Sequence, residues 1–553
     1  MTASIVAVIV FLVANLAFAS WKRPQKPAGA PPSESVASGA SDYALAGRSL
    51  SGPALLATLA ASNLSAFTVF GVSGASYRLG WAFFPVMAFG TAFMAASFAV
   101  VGVPLRRMSF QRGWTTPGDF ITDRFGSPTL GRVFSGLSLL YTIPYLAIQA
   151  GAGGKLMEGM TGIPRLAASG LLVAILAAYV WRGGMRSVAR TDILQLAALI
   201  VLALAAGIIV VAAAGPSGAG ARIAVDAGRM SRAGVGETLG WLPLLGYYLL
   251  WSFADPMFPH FIQRFYAARS DKALLASMMA YPLVAVLVFL PVCALGVLGS
   301  AMVPGLTGAA SDGIFTVLVS ALAGPVWGPV FALAALAALM STMDSQLLSC
   351  ASIIGSELLP GRFRGKRASQ AAAVLLAVLG WLVAIKPPAS ILDFLNKTAF
   401  PGYASLMPIA LAGIYAPRLG RWIAAAALFA GTFLVFAESA GIFHPPVPAA
   451  LFNAGAQVLV IVAGAAVRGL FQAPRAKPVN AGSGFFSRAS ASPRLVIAVL
   501  VLVLAGFLGM DFWNYGRIPA VVLGLPGWVI YHAALTLALS GAFWVVSRAV
   551  PAE

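Results

Sequence analysis

The stretch AALMSTMDSQLLS, residues 337–349, decides the fold because it places polar side chains inside a long apolar run. The run extends from about Trp327 to Leu359, and around the stretch the chain reads FALAALAAL and CASIIGSELL. Six polar residues fall within about three helical turns, namely Ser341, Thr342, Asp344, Ser345, Gln346 and Ser349. A carboxylate inside a membrane is costly unless it faces a protein-lined or water-filled cavity. The stretch therefore raises the question of whether this helix lies in a membrane.

The composition indicates that it does. Hydrophobic residues make up 59% of the 553 positions and charged residues only 10%, which is too little polar surface for a soluble chain. Continuous apolar runs recur, each long enough to cross a bilayer, and their continuity excludes a porin-like barrel. We therefore expect an all-α polytopic membrane protein with about 15 transmembrane helices. The predicted spans lie near 3–20, 52–76, 81–104, 133–156, 164–181, 191–214, 237–262, 273–301, 326–356, 369–386, 398–416, 421–441, 449–467, 494–513 and 526–547.

The basic residues predict the topology. Most of the 36 Lys and Arg residues, Arg264 among them, fall in loops on one side of these spans, and positively charged loops stay cytoplasmic. The N-terminus is then outside and the C-terminus inside, in the inner (plasma) membrane, and the net charge of +19 requires no nucleic acid. The first run is alternatively a signal peptide, but its basic residues, Lys22 and Arg23, follow the run instead of preceding it. We expect an extra outside-in helix there.

Several residues carry no functional prediction. Cys293 and Cys350 lie in apolar runs and are expected to pack in the core. His444 and His532 lie in stretches typical of interfacial loops or helix ends, without a catalytic role. Glu438 is expected to be peripheral. Residues 24–41 and 470–493 read as polar connectors that do not pack.

The second apolar run, LLATLAASNLSAFTVFGVSGASYRLG (55–80), also contains a polar centre. Asn63 and Ser65 in its middle favour a helix that opens locally and frees carbonyl oxygens, which is tolerated at membrane depth only beside a cavity. Carbonyl and hydroxyl oxygens without imidazole or thiolate suit an alkali cation. Alternatively, these side chains bond to their own helix or to a neighbouring helix. The residues alone leave both interpretations open.

Five stretches, in order, resemble the sodium/solute symporter family, and the resemblance extends from residue 42 to about 416. They are DYALAGRSLSGPALLATLAASNLSAFTVFGVSGASYRLG (42–80), TTPGDFITDRF (115–125), GGMRSVARTDILQ (183–195), PHFIQRFYAARSDK (259–272) and AALMSTMDSQLLS (337–349).

The resemblance implies a LeuT-type core of ten helices in two inverted repeats, at about 52–214 and 237–416. The core would occupy 42–416, after an extra helix and linker (1–41) and before accessory helices (417–553). The first helix of each repeat should be interrupted. The Asn63–Ser65 cluster and the Ser252–Pro259 stretch, with Pro256 and Pro259, are the sequence grounds for this prediction.

The resemblance also implies a sodium site and a solute site. The sodium ligands would be the hydroxyls of Ser341 and Thr342 and the carbonyls of Ala61, Leu64 and Ala338; no cofactor is expected. The solute-site residues would be Asn63, Ser65, Phe67, Thr68, Trp251, Asp255 and Pro259.

Three carboxylates leave alternatives open. Trp251, Asp255 and Pro259 recur every four residues, so Asp255 is expected to face the solute site as counter-ion to an ammonium group; alternatively it pairs with an Arg or caps a helix end. Asp192 lies on the ion path or pairs with Arg186 or Arg190. Asp344 lies on that path or pairs with a basic neighbour.

We therefore expect sodium-coupled uptake of a small polar solute, with an amino acid or another zwitterion or cation favoured. TIPYLAIQAGAGGKLMEGMTGIP (142–164) resembles family branches that carry small acids and amino acids, so a small carboxylate, such as a monocarboxylate or a pantothenate-like solute, is the alternative. Proton coupling is a further alternative. An enzyme is disfavoured because no nucleophile and base pair lies at membrane depth, a sensor because no kinase follows the helices, and a channel because the family pattern favours alternating access.

Overall fold

The structure is a computed structural model that describes residues 2–21, 37–215, 225–385, 398–416, 418–471, 493–522 and 524–551. It is a helical bundle. The helices of its first part are α1 (Thr2–Ser20), α2 (Ala37–Leu45), α3 (Gly52–Asn63), α4 (Val72–Leu79), α5 (Phe83–Met94), α6 (Val103–Arg112), α7 (Pro117–Phe125), α8 (Pro128–Thr161), α9 (Arg165–Gly183) and α10 (Met185–Ala213).

The second part continues the bundle and adds one short antiparallel ribbon. Its helices are α11 (Ala227–Met230), α12 (Trp241–Ala254), α13 (Pro259–Ala267), α14 (Asp271–Met302), α15 (Ile314–Ile353), α16 (Lys366–Val383), α17 (Phe400–Ala404), α18 (Met407–Tyr415), α19 (Arg421–Ser439), α20 (Ala449–Phe471), α21 (Pro493–Met510) and α22 (Gly527–Ala549). The ribbon is β1 (Val521–Val522) paired with β2 (Leu525–Pro526).

The number of candidate membrane spans is compatible with the prediction. Among the described residues, 12 helical segments are long and apolar enough to cross a membrane. The remaining three predicted spans, 52–76, 237–262 and 398–416, are each divided into two shorter helices. Together with these three divided spans, the 12 candidate segments are compatible with the expected number of about 15.

The two interruptions predicted for the first helix of each repeat are confirmed. α3 ends at Asn63, Leu64 is extended (φ −82°, ψ 96°), and the helix resumes with a wide π-helical turn at Phe67–Gly71. α12 ends at Ala254, and Phe258 leaves the helical region (φ −57°, ψ 130°) before α13 begins. Proline lacks a backbone donor, so Pro256 and Pro259 prevent the second helix from continuing unbroken.

α15 carries the polar stretch and lies in the interior of the bundle. Every side chain from Phe331 to Ile353 is buried, which is expected of a helix surrounded by other helices rather than by lipid. Gly324, with φ of 72°, breaks the helical geometry before this segment. The six polar residues of 337–349 therefore face protein, not hydrocarbon.

The ends of the chain bring some corrections. Residues 37–41, predicted as unpacked linker, belong to α2, whereas 22–36 and most of the 470–493 connector lie outside the described residues. Cys293 and Cys350 are buried and free, as expected. His532, predicted in an interfacial loop or at a helix end, lies in the second turn of α22 and is fully buried, 3.4 Å from Asp511.

Candidate ion and solute site

The site begins where α3 ends. The last carbonyl groups of a helix have no partner within that helix and form the negative end of its dipole. Here the N–H of Leu64 bonds to the carbonyl of Ala60 at 3.0 Å, which leaves the carbonyls of Ala61, Ser62 and Leu64 to other partners. These carbonyls meet the polar stretch of α15.

Two hydroxyls of α15 lie against these carbonyls. Ser341 Oγ lies 2.8 Å from the oxygen of Ala61 and 2.9 Å from that of Ala338. Thr342 Oγ1 lies 3.4 Å from the oxygens of Ser62 and Leu64 and 3.2 Å from that of Ala338. The structure thus brings together all five oxygens predicted as ligands, together with the carbonyl of Ser62.

These oxygens fit a small monovalent cation. All are hard and neutral, which suits an alkali ion, whereas divalent cations are usually held by carboxylates. Oxygens 2.8 to 3.4 Å apart can close around an ion at contacts of roughly 2.3–2.6 Å, the range for Ca²⁺, whose radius is close to that of Na⁺. The residues that carry them are at most 2% exposed. The site therefore offers dehydrated oxygens to an ion.

The freed amides of the same break are satisfied by other residues. Gln149 Oε1 of α8 accepts from the N–H of Ala66 at 3.1 Å, and Thr68 Oγ1 accepts from the N–H of Ser65 at 3.1 Å. Tyr145 donates its hydroxyl to Ser65 Oγ at 2.8 Å. Unpaired buried amides are costly, so these contacts stabilise the open segment. Thr68, predicted to bind solute, thus has a first role in holding the break.

Asp255 lies at the break of the second discontinuous helix and is 2% exposed. Asn63 Nδ2 donates to Asp255 Oδ2 at 3.1 Å and to the hydroxyl of Tyr281 at 2.8 Å. Among the described residues, no Lys or Arg lies within ion-pair distance of Asp255. Within the described part of the chain Asp255 is therefore not paired with an arginine, and the two breaks are joined through Asn63.

Aromatic rings surround Trp251, one turn before Asp255. Its ring centroid lies 5.0 Å from that of Phe400 and 6.4 Å from that of Phe67, and its indole donates to the carbonyl of Val86 at 3.0 Å. The predicted common face of Trp251, Asp255 and Pro259 is wrong in part. Pro259 begins α13 after the break, so helical spacing does not carry across to it.

A charged cluster lies one turn from the ion-site residues on both α3 and α15. Arg264 donates through NH2 to Asp192 Oδ2 at 3.2 Å and to Ser345 Oγ at 2.5 Å, and through Nε to Thr58 Oγ1 at 2.8 Å. Thr58 also bonds to Asp192. All of these residues are buried, so the cluster joins four helices, α3, α10, α13 and α15.

This cluster corrects two predictions, one about the partner of Asp192 and one about the position of Arg264. Its partner is Arg264, not Arg186 or Arg190, because Arg186 pairs with Asp42 at 2.5 Å and Arg190 bonds to the carbonyl of Trp21. Arg264, counted as a loop charge in the topology, is fully buried.

Asp344 completes the cluster without forming an ion pair among the described residues. Its Oδ2 accepts from the hydroxyl of Tyr179 at 2.5 Å and from Thr191 at 3.3 Å, and its Oδ1 from Ser345 at 3.2 Å. The predicted pairing with a basic neighbour is therefore replaced by bonds from hydroxyl groups.

A model of the sodium:solute symporter family matches residues 43–431. The match extends over more than half of the 553 residues. The chain belongs to this family. Its members are transporters and not enzymes, and this transporter is accordingly a multi-pass membrane protein.

Known symporters resemble the chain over most of its length. It is 26% identical to the sodium/pantothenate symporter of Haemophilus influenzae over 430 residues, which is 74% of this chain and 88% of that protein. It is 28% identical to the high-affinity proline transporter PutP of Bacillus subtilis over 433 residues, 72% of this chain and 87% of that one.

A solved structure has the same fold. The substrate-bound, outward-open structure of a Na⁺-coupled sialic acid symporter matches with a TM-score of 0.70 and 17% identity, covering 86% of this chain and 98% of that one. At this identity the match shows the fold, which is the LeuT-like fold that the resemblance implied. The match gives no information about which solute this chain transports.

Several residues of this symporter's site went unrecognised in the sequence. Tyr145 and Gln149 are spaced by four in an apolar run, which places two polar groups on one helix face and would have been a usable signal. Arg264 sits within FIQRFY, where flanking apolar residues indicate burial. Tyr179 and Thr58 gave no such signal, because their partners Asp344 and Asp192 are distant in sequence.

Proposed function

We propose that the chain carries out sodium-coupled uptake of a small zwitterionic or cationic organic solute by alternating access. The observation that supports this most is the convergence of the Ala61, Leu64 and Ala338 carbonyls with two α15 hydroxyls at the helix break. One ion there would join α3 to α15, so occupancy of the site would couple the two repeats. Solute and ion would then be released together when the helices rearrange.

The ion site is tested by sodium dependence of uptake. Thr342→Ala removes one oxygen while α15 stays packed, and the loss of one hydroxyl should cost roughly 1–3 kcal/mol of ion binding, equivalent to about a 5- to 150-fold higher half-saturating sodium concentration. Ser341→Ala should shift it in the same direction. The assay is solute flux into vesicles at graded sodium.

The matched control is Ser349→Ala on the same helix. Ser349 is 2% exposed and bonds within its own helix to Gln346, so its loss should leave sodium dependence unchanged. If neither Ser341→Ala nor Thr342→Ala alters sodium dependence, the ion assignment is wrong. Flux driven by a pH gradient and indifferent to sodium would support proton coupling instead.

The solute class rests on Asp255. A buried carboxylate without a cationic partner favours a ligand that brings a positive charge, and Trp251, Phe67 and Phe400 offer apolar surface beside it. In this proposal Asp255 binds an ammonium group and Trp251 packs on the apolar part of the solute. The family relation to a proline transporter is in keeping with such a solute.

A pair of solutes that differ only in the ammonium group tests this class. We expect uptake of an amino acid and little uptake of its deaminated acid, and Asp255→Asn should weaken the apparent affinity for the amino acid by about tenfold or more, because a charged hydrogen bond contributes roughly 1.5–3 kcal/mol. Expression and the sodium dependence of residual flux serve as controls. Unchanged affinity in Asp255→Asn, or preference for the deaminated acid, would refute the counter-ion role.

A small carboxylate is the second candidate. A cavity of about 640 Å³ is lined by Lys155 and Arg165 together with Phe70, and Phe70 lies one turn after Phe67 on the first discontinuous helix. Asp312, also in the lining, is paired with Arg78 at 3.1 Å. Lys155→Gln should lower the uptake rate of a monocarboxylate or pantothenate, and leave that of a zwitterion unchanged, if this candidate is correct.

A further inference from the structure

A groove of about 640 Å³ runs along the outside of the bundle between α9 and α16. All of its lining residues are Gly, Ala, Val or Trp, so it offers no polar group to a solute. Its walls are partly exposed, with Val374 41% and Val378 44% exposed. In a membrane-spanning protein such a surface faces acyl chains rather than water.

Two indoles mark the ends of this α9/α16 groove. Trp181 lies where α16 begins, because Gln370 Nε2 donates to its carbonyl at 2.6 Å. Trp381 lies at the opposite end, where its indole donates to the carbonyl of Leu166 at 3.0 Å. From Gly170 to Trp181 the groove is about 16 Å long at 1.5 Å per residue. That is close to half of the ~30 Å hydrocarbon core, the depth of one leaflet.

Three exposed cations stand at the Trp181 end, whereas at the Trp381 end the partly buried Arg165 donates to the carbonyl of Ile385 at 3.1 Å. Arg182 follows Trp181, and Lys366 and Arg367 lie one turn before Gln370. None of the three forms an ion pair or a hydrogen bond with the described part of the chain. No acidic residue lines the groove beside them. Basic clusters at the end of grooves between membrane helices suit phospholipid head groups.

We propose that the α9/α16 groove binds one anionic phospholipid from the leaflet on the side of Arg182. An acyl chain lies between the two indoles, against Ala174, Ala177 and Ala178, and the phosphate contacts the three cations. Arginine binds phosphate in a bidentate manner, and lysine contributes a point charge. The apolar length fits one leaflet and the charge is at the correct end for a lipid, so the two features identify the same ligand.

Thermal stability and native mass spectrometry of the purified full-length protein in detergent test this site. Phosphatidylglycerol should raise the Tm by ~2 °C or more beyond phosphatidylcholine with the same acyl chains, and it should remain bound in the spectrometer. Inorganic phosphate should do neither, which separates a lipid from a free phosphate. Equal effects of the two lipids, or an equal effect of phosphate, would overturn the proposal.

Two variants and one matched control separate the parts of the site. The triple variant Arg182→Gln, Lys366→Gln, Arg367→Gln should lose the preference for phosphatidylglycerol. The control Lys272→Gln, Arg494→Gln, Arg548→Gln removes the same charge from exposed positions on α14, α21 and α22 and should retain that preference.

Ala178→Phe should fill the groove and reduce lipid retention while keeping the cations. The proposal fails if the control triple loses as much preference as the groove triple, or if Ala178→Phe binds lipid as the parent does. It also fails if the parent is a lipid-free dimer that Ala178→Phe dissociates, since the groove would then be an interface between copies.

Discussion

Two buried arginine–aspartate pairs in this symporter look alike and are built differently. Arg264–Asp192 lies in the core and Arg232–Asp511 joins a loop to the added C-terminal helices. Both have an N–O distance of 3.2 Å and no exposed side-chain surface. Burial and distance alone would therefore assign them the same role, and only their other partners distinguish them.

Arg264 is hydrogen-bonded through all three of its nitrogen atoms. They reach Thr58 on α3, the carbonyl of His260 on α13 at 3.0 Å, and both Asp192 on α10 and Ser345 on α15. Since α3 and α13 belong to the two discontinuous helices, a movement of one of these helices relative to the other would break or exchange the bonds between them. A pair of this kind can take part in the transport cycle.

Among the described residues, Arg232 bonds through Nε alone, to Asp511. Within the described residues its other two nitrogen atoms have no hydrogen-bond partner, and its guanidinium lies over the rings of Tyr515 at 4.8 Å and Trp528 at 5.3 Å. Trp528 also donates to the carbonyl of Met230 at 3.2 Å. The stacking of the Arg232 guanidinium on Tyr515 and Trp528 attaches the 225–240 loop to α22. None of these contacts involves a discontinuous helix, so we expect the attachment to stay unchanged during transport.

The largest expected effect is that of Arg264→Met. Removing one partner of a buried pair leaves an uncompensated charge and costs about 3–5 kcal/mol, so yield and thermal midpoint should fall sharply. The double variant Arg264→Met, Asp192→Leu should recover stability, because replacing a whole buried pair by apolar groups is often neutral, yet it should remain unable to transport. Flux and thermal unfolding are measured on all variants.

A double variant that is stable and transports like the parent would show that the Arg264–Asp192 pair is as static as the other. That result would remove the distinction drawn between the two pairs.

A smaller effect is expected of Arg232→Met. Asp511 would keep the amide of Asn514, which donates to its Oδ1 at 2.6 Å, and so the cost should be about 1–3 kcal/mol of stability. The half-saturating sodium concentration should not change. Arg232→Met combined with Asp511→Asn should return stability toward the parent and, unlike the core double variant, retain full flux. A changed sodium dependence in Arg232→Met would contradict the static role.

The comparison also shows what the sequence could and could not predict. The breaks at Asn63–Ser65 and at Pro256 were predictable because proline and clustered polar residues act locally on the backbone. The ion-site oxygens lie within one turn of each other on each helix, but their assignment came from the resemblance to the symporter family, because the residues alone left an ion site and simple helix contacts equally open.

The partners of the charged groups were not predictable in this way. Arg264 was assigned to a loop because counting charges along the sequence ignores contacts between distant residues. It is buried because it pairs with Asp192, which is 72 residues away in the sequence. The common face assigned to Trp251 and Pro259 failed because the helix ends between them. The four-residue spacing places side chains on one face only where the helix is continuous. At the two helix breaks that form the site, the helix is not continuous, so the spacing does not apply there.

The smallest expected effect on stability is that of Asp226, which lies at the start of the 225–240 loop that Arg232 attaches to the C-terminal helices. Its carboxylate accepts from the N–H of Arg229 at 2.9 Å, and Arg229 in turn donates to the carbonyl of Tyr77 on α4 at 2.8 Å. Partial burial acts to raise the pKa of Asp226, but the hydrogen bonds and charge of Arg229 outweigh it, and the pKa lies below its usual value. The contribution to stability is therefore fully present above the ordinary aspartate pKa of about 3.9 and is lost as the pH falls through the lower pKa of the folded protein.

Since the pair is largely exposed, its contribution should be only ~0.2–1 kcal/mol. Asp226→Asn should remove this acid dependence and change the thermal midpoint little at neutral pH. To test this, amide hydrogen exchange of residues 225–240 is measured between pH 6 and pH 3 in the parent and in the variant. Faster exchange in the acidified parent, with Arg232 intact, would mean that Asp226 and Arg229 contribute to attaching this loop to the first core helix. If the amide exchange rates of parent and variant change in the same way across this pH range, the Asp226–Arg229 pair does not contribute, and the Arg232–Asp511 pair is what attaches the loop.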